Sequence, residues 1–262
     1  MKGLRFIILA SLVAVSCSVR ENRGDCPSFL SLTVTPQVNL IFEGGRAWCD
    51  LFAEDGTRLE HSPLTDMNRR DTTLLYRINP RRTVSAVVSN KEISGGMVVA
   101  GYDEEFCELW TYRKDIPCTG DEASEIIQES NKQFCRLTVR LSEESLHFAP
   151  GMSVRISAPY DGVCFPSMKV HSGKFSCGAA LDEKGGATVC LPRQEGNGLT
   201  LNLIKPDEFT VTFDLYDAMR GAGYDWNAPS LDNFDMTVTL SSMSGEVEIA
   251  DWSFVGIGNR EF

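Results

Sequence analysis

Histidine is scarce in this chain, three residues in 262, and the short motifs of the common enzyme classes are missing. There is no G-x-S-x-G, no H-E-x-x-H, no G-x-x-x-x-G-K-[ST] and no G-x-G-x-x-G. Their absence removes the nucleophile elbow, the zincin helix and the phosphate- and dinucleotide-binding loops. A Ser-His-Asp or Cys-His arrangement would have to use His61, His147 or His171, each isolated in the sequence and expected in a loop or at a strand edge. No enzyme activity, catalytic residue or cofactor is assigned. Basic residues are also few, 25 Lys and Arg against 36 Asp and Glu for a net charge of -11. So little positive charge gives a phosphate backbone nothing to bind, and nucleic acid is excluded as a partner. No C-x-x-C occurs, which removes the usual zinc-ribbon and thioredoxin signatures. Disorder is excluded by composition, since 42% of the residues are hydrophobic and 14 Phe and 4 Trp can fill a sizeable core.

The first sixteen residues read as an export signal. Lys2 and Arg5 form a basic start, Phe6 to Val15 an apolar run, and a small residue, Ser16, precedes Cys17. The run is short of the roughly 20 residues needed to span a bilayer. Ala14-Val15-Ser16-Cys17 resembles the lipobox of bacterial lipoproteins, matching at Ser16 and Cys17 and departing at Ala14, where Leu is usual. That resemblance implies an acylated Cys17 as the first mature residue, with residues 17-26 as a lipidated linker. Losing Lys2 and Arg5 with the leader takes the net charge from -11 to -13.

With Cys17 set aside, Cys26, Cys49, Cys107, Cys118, Cys135, Cys164, Cys177 and Cys190 remain. An even number in an exported chain permits disulfides without requiring them, and all eight can equally pack as small hydrophobes. Cys164, Cys177 and Cys190 recur every 13 residues around His171. That interval is one strand plus a turn and predicts neighbouring strands of one sheet rather than a metal cluster.

The body of the chain alternates. Leu30, Leu32 and Val34 interleave with Ser31, Thr33 and Thr35, and Cys135, Leu137, Val139 and Leu141 with Arg136, Thr138 and Arg140, the pattern of half-buried strands. Further runs are Ala47 to Ala53, Thr72 to Ile78, Thr83 to Ser89, Ser153 to Ser157, Leu199 to Ile204, Phe209 to Tyr216, Met236 to Leu240 and Val247 to Trp252. Gly-containing turns such as 54-57, 183-186 and 196-198 separate them. The fold class is all-β, in antiparallel sandwiches. Glu122 to Lys132 is the one helix candidate and serves equally as a linker. A polar stretch there, followed by a fresh strand at Cys135, places a boundary between residues 27-131 and 132-262.

Acidic clusters at Asp103-Glu104-Glu105, Asp121-Glu122 and Glu143-Glu144 read as solvated surface. Asp232-Asn233-Phe234-Asp235 has oxygen ligands but lacks the Gly and terminal Glu of an EF-hand, so no metal is assigned. Arg69-Arg70 and Arg81-Arg82 are paired basic sites, read as surface charge. Trp110, Tyr112, Tyr224 and Trp226 would be the ligand-contacting aromatics of a surface adhesin or carbohydrate-binding module.

Cys17 to Leu32, with its Arg20-Glu21 pair and Asp25-Cys26-Pro27, resembles the mature start of the fimbrial anchor lipoproteins of Bacteroidota. Phe134-Cys135-Arg136-Leu137-Thr138-Val139 is similar to the strand opening that family's second domain, and Val247-Glu248-Ile249-Ala250-Asp251-Trp252 to its closing strand. Ser28 departs from the family, in which a second cysteine often follows the Pro. The resemblance implies two tandem transthyretin-like β-sandwich domains on an outer-membrane lipid anchor. It further implies a role in fimbria assembly, with stalk subunits as partners through strand or edge pairing. The Gly-rich tail 256-262 is too short of alternating apolar residues to be a donor strand. The final strand, with Val247, Ile249 and Trp252, is therefore expected to stay in its own sheet.

Overall fold

The computed structural model describes residues 26-35, 38, 46-64, 71-206, 209-240 and 247-255, with Phe209 and residues 247-255 given by their backbone. The leader, Cys17, Arg69-Arg70, the 241-246 connection and the tail 256-262 lie outside the described residues. Described strands are, in chain order, β1 (Ser28–Val34), β2 (Ala47–Phe52), β3 (Arg58–Leu64), β4 (Thr72–Ile78), β5 (Arg82–Ser89), β6 (Met97–Val99), β7 (Trp110–Cys118), β8 (Glu122–Ile127) and β9 (Asn131–Lys132). There follow β10 (Phe134–Leu141), β11 (Ser153–Cys164), β12 (Lys169–Ala180), β13 (Gly186–Pro192), β14 (Thr200–Lys205), β15 (Phe209–Asp214), β16 (Asn233–Leu240) and β17 (Val247–Val255). A short helix, α1 (Leu215–Gly221), follows β15, capped by the Asp214 side chain accepting from the Asp217 amide.

The strands make two sandwiches. Sheet β4-β1-β8 faces sheet β3-β2-β5-β7-β9, and sheet β13-β10-β16-β17 faces sheet β12-β11-β14-β15. A core of Leu30, Leu32, Leu51, Val84, Ile116 and Ile127 lies between the first two, and one of Leu137, Val139, Ile156, Leu201, Phe234 and Met236 between the second two. The sandwiches repeat one plan. In each, the opening strand pairs antiparallel on one side (β1 with β4, β10 with β13) and parallel on the other (β1 with β8, β10 with β16). Among the described strands, the sheet built on β10 carries one more than the sheet built on β1, namely β17, antiparallel to β16.

Glu122 to Ile127 is strand β8, not helix. Ile126 and Ile127 point to opposite faces, one exposed and one buried, an arrangement that a sheet offers and a helical stripe does not. Cys164 and Cys177 do fall on adjacent strands, β11 and β12, but Cys190 lies on β13 of the opposing sheet. The turn at 182-185 carries the chain across to that sheet, which the 13-residue spacing does not reveal.

Residues 90-109 cover the outer face of β5, which is why Val87 is buried with Ile93, Phe106 and Leu109 while Val84, Ala86 and Val88 fill the first core. Within this segment β6 pairs with the far end of β11. That approach needs Gly162, because a Cβ there would collide with the Val98 carbonyl.

Candidate interaction surfaces

The seat of β1 is built by alternation. Leu30, Leu32 and Val34 are fully buried (0% exposed), and each such side chain stabilises the seat by about 1.5-3 kcal/mol. Its entry is clamped by Arg81, whose Nε donates to the Cys26 carbonyl (3.1 Å) and Nη1 to that of Thr119 (3.4 Å), with Nη2 on Asp121. Arg81 is thus a structural clasp rather than solvated charge, and Arg82 is part-buried in the ladder opposite Cys118.

Edges differ in how they are guarded. On β8, Glu125 occupies the position that Met236 holds on β16, judged by their rows opposite Leu32 and Val139. Its carboxylate accepts from Tyr112 (2.8 Å) and Lys114 (2.8 Å) of β7. A charge pointing inward at a sheet edge discourages strand addition. Along β13, the Cys190 carbonyl accepts from the Phe106 amide (3.0 Å) and its amide donates to Glu105 (3.3 Å). On β15, Val211 and Phe213 alternate part-buried with exposed Thr210 and Thr212, and no strand pairs with its outer side among the described residues.

The aromatics expected to meet ligand do not line up on a surface. Tyr224 and Trp226 are each 4% exposed, in T-shaped contact with one another at 4.7 Å, and Tyr224 stacks edge-on with Phe234 at 5.9 Å. The Tyr224 hydroxyl donates to the Asp232 carbonyl (2.8 Å), and burial pushes its pKa up. Trp110 packs edge-on against Phe134, and Tyr112 is committed to Glu125. Two of the acidic positions are likewise engaged. Asp103 pairs with Arg155 (2.5 Å), and Asp235 with Arg140 (3.1 Å). Asn233 accepts from Lys132, whose pKa burial lowers. His61 and His171 sit on strands beside Asp50 (2.9 Å) and Asp161 (2.6 Å), whereas His147 stacks on Phe148.

Two polar groupings escaped the sequence reading. Asp50 is fully buried in β2 and accepts from Arg58 (3.0 Å), which also donates to the Ile93 carbonyl (2.9 Å). Arg193 donates to Gln133 Oε1 (3.0 Å) and to the Trp226 and Pro229 carbonyls, pinning loop 222-232 to the start of β10. Burial lowers its pKa. Neither grouping has a local motif, because each draws on a partner far along the chain, 35 residues away for Arg58 and Ile93 and 60 for Arg193 and Gln133.

The eight described cysteines are free thiols. Burial pushes Cys49 and Cys190 up to about 11 and Cys135 to about 12. Their folded values exceed the ordinary thiol value of 9.0, so the neutral thiols favour the fold below pH 9 and that advantage is lost as pH rises towards 11. At pH 8, iodoacetamide should label the exposed Cys26 first among these eight and reach Cys49, Cys135 and Cys190 only after denaturation, as peptide mass mapping would show. Early labelling of Cys135 would contradict its burial.

No protein-family model matches the sequence, and neither does any curated protein. Solved structures do match. A candidate adhesin of Bacteroides ovatus aligns with a TM-score of 0.55 at 11% identity, over 91% of this chain and 95% of its own. A candidate polysaccharide-binding protein of Bacteroides thetaiotaomicron aligns at 0.56 and 9% identity, over 89% of this chain and 100% of its own. At 13% identity and a TM-score of 0.59, over 88% of its length and 98% of the other chain, this protein shares its fold with the fimbrial anchor protein Mfa2 of Porphyromonas gingivalis.

Proposed function

We propose that this chain is an accessory subunit of a fimbria, held to the outer membrane through an acylated Cys17 and built of the units 27-131 and 132-262. It anchors or terminates the polymer and supports assembly and adhesion, and it is not an enzyme. The observation that carries this reading is the fold shared with a fimbrial anchor across both sandwiches. Two features agree with a terminating role: β1 is seated and clasped by Arg81, and the closing strand β17 pairs within its own sheet. Stalk subunits would be met by strand or edge pairing, for which the β15 edge is the least guarded of those described above. An adhesin or saccharide-binding module outside a pilus is the second reading, favoured by two of the fold neighbours. It ranks lower because Tyr224 and Trp226, its expected contact residues, are buried.

The test is fractionation and co-purification. Wild-type protein should sediment with outer membrane and co-purify with a fimbrial polymer, and Cys17→Ala should move it to the soluble fraction. A Cys17→Ala protein that stays in the membrane removes the lipid anchor. A wild-type protein free of any polymer removes the fimbrial role.

A further inference from the structure

The outer face of β4-β1-β8 carries three large exposed apolar side chains, Phe29 at 54%, Leu75 at 78% and Ile126 at 58%. The register sets them in rows across the three strands: Arg77-Phe29-Glu122, then Leu75-Ser31-Ser124, then Thr73-Thr33-Ile126. Arg77 and Glu122 are both exposed, at opposite ends of one row.

We infer that this face binds a second copy of the same chain across a two-fold axis parallel to β1. Such an axis sets β4 of one copy over β8 of the other and leaves every row facing itself reversed. Arg77 then meets Glu122 of the second copy, and Glu122 its Arg77, so both charges are paired. Leu75 lies over Ser124 and Ile126 over Thr73, large against small, as interdigitating sheets require. Phe29 meets Phe29, where rings can stack offset. The alternative axis, perpendicular to the strands, would press Arg77 on Thr73 and Glu122 on Ile126 and bury both charges unpaired, which is costly. The charge pattern therefore selects one partner and one orientation.

Strands about 4.8 Å apart and a length of seven residues make the face roughly 14 by 23 Å. Two copies would bury on the order of 1,000 Å², near the floor for a specific interface. The dimer is accordingly reversible and concentration-dependent. Both β1 strands start at the same end of it, which suits two chains held in one membrane; that point alone rests on the proposed anchoring, and the dimer does not.

Sedimentation velocity of the purified full chain in mild detergent, over a concentration series, tests it. Wild type should pass from monomer to dimer. Arg77→Glu and Glu122→Arg, each facing a like charge across the axis, should each weaken the dimer at least about tenfold. The double swap Arg77→Glu with Glu122→Arg should restore it, which a merely misfolded variant would not do. Protein that is monomeric throughout, a dimer indifferent to either single swap, or a double swap that fails to restore it would each overturn the inference. A monomeric result would assign the face to another occupant, such as the chain's own remaining residues or a lipid surface.

Discussion

Leu32→Ala should lower the unfolding free energy by about 3 kcal/mol, within the range for a fully enclosed leucine. The expectation follows from position. Leu32 lies on the middle strand of its sheet, between Leu74 and Glu125, with no exposed area. Neighbours on both sides are held by backbone ladders and cannot close on the space left behind. Leu75→Ala, one strand away on the exposed face, should change stability by less than about 0.5 kcal/mol. Chemical denaturation of both variants gives the comparison. A Leu32→Ala cost near that of Leu75→Ala would mean that β1 is not seated as described.

Arg193→Met should cost a similar amount, about 3 kcal/mol, for a different reason. The aliphatic replacement keeps much of the volume but leaves Gln133 Oε1 and the Trp226 carbonyl without their arginine donor in a part-buried place, while the Pro229 carbonyl keeps Gln133 Nε2 (3.2 Å). Arg193→Lys should rescue little, since one ammonium cannot reach three acceptors spread around a planar fork. Because these bonds hold loop 222-232, the Trp226 environment should loosen as well. The expected signature is a red-shifted tryptophan emission at denaturant concentrations where the far-ultraviolet circular dichroism is still native. Coincident transitions by both probes would show that the loop is secured by its apolar contacts alone.

The strands with one wet face were legible in the sequence. β1, β4 and β10 follow their alternating runs almost to the residue, because burial on one side imposes a period of two. β3, β7 and β12 were not, and their composition explains it. Arg58, Glu60 and Pro63 mark β3 as an edge, Arg113-Lys114-Asp115 interrupts β7, and β12 carries Lys169, Lys174 and two glycines. Such strands are held by backbone ladders to better-patterned neighbours, so their own side chains say little. The run 209-216 was read as one strand, but its last residues turn into α1 at the Asp214 cap. Surface features followed the same rule. Cys26 and Tyr112 were visible as residue types, while the Arg81 clasp, the Arg193 cluster and the row order of the β1 face depend on contacts between distant parts of the chain.

The repeated plan of the two sandwiches also sets an order of events during folding. Leu30 is paired with Ala123 and Leu137 with Phe234, separations of 123 - 30 = 93 and 234 - 137 = 97 residues. In each unit the first strand to emerge can zip with its antiparallel neighbour early but must wait for nearly a whole domain before its parallel partner arrives. Loop closure over such distances is slow, and until it happens one side of β1 or β10 presents an unpaired backbone edge. Under the export and fimbrial role proposed above, the chain would cross a membrane unfolded and meet that interval among other strand-rich subunits. The nascent sandwich, rather than the finished one, is the stage at which pairing with the wrong neighbour has to be prevented.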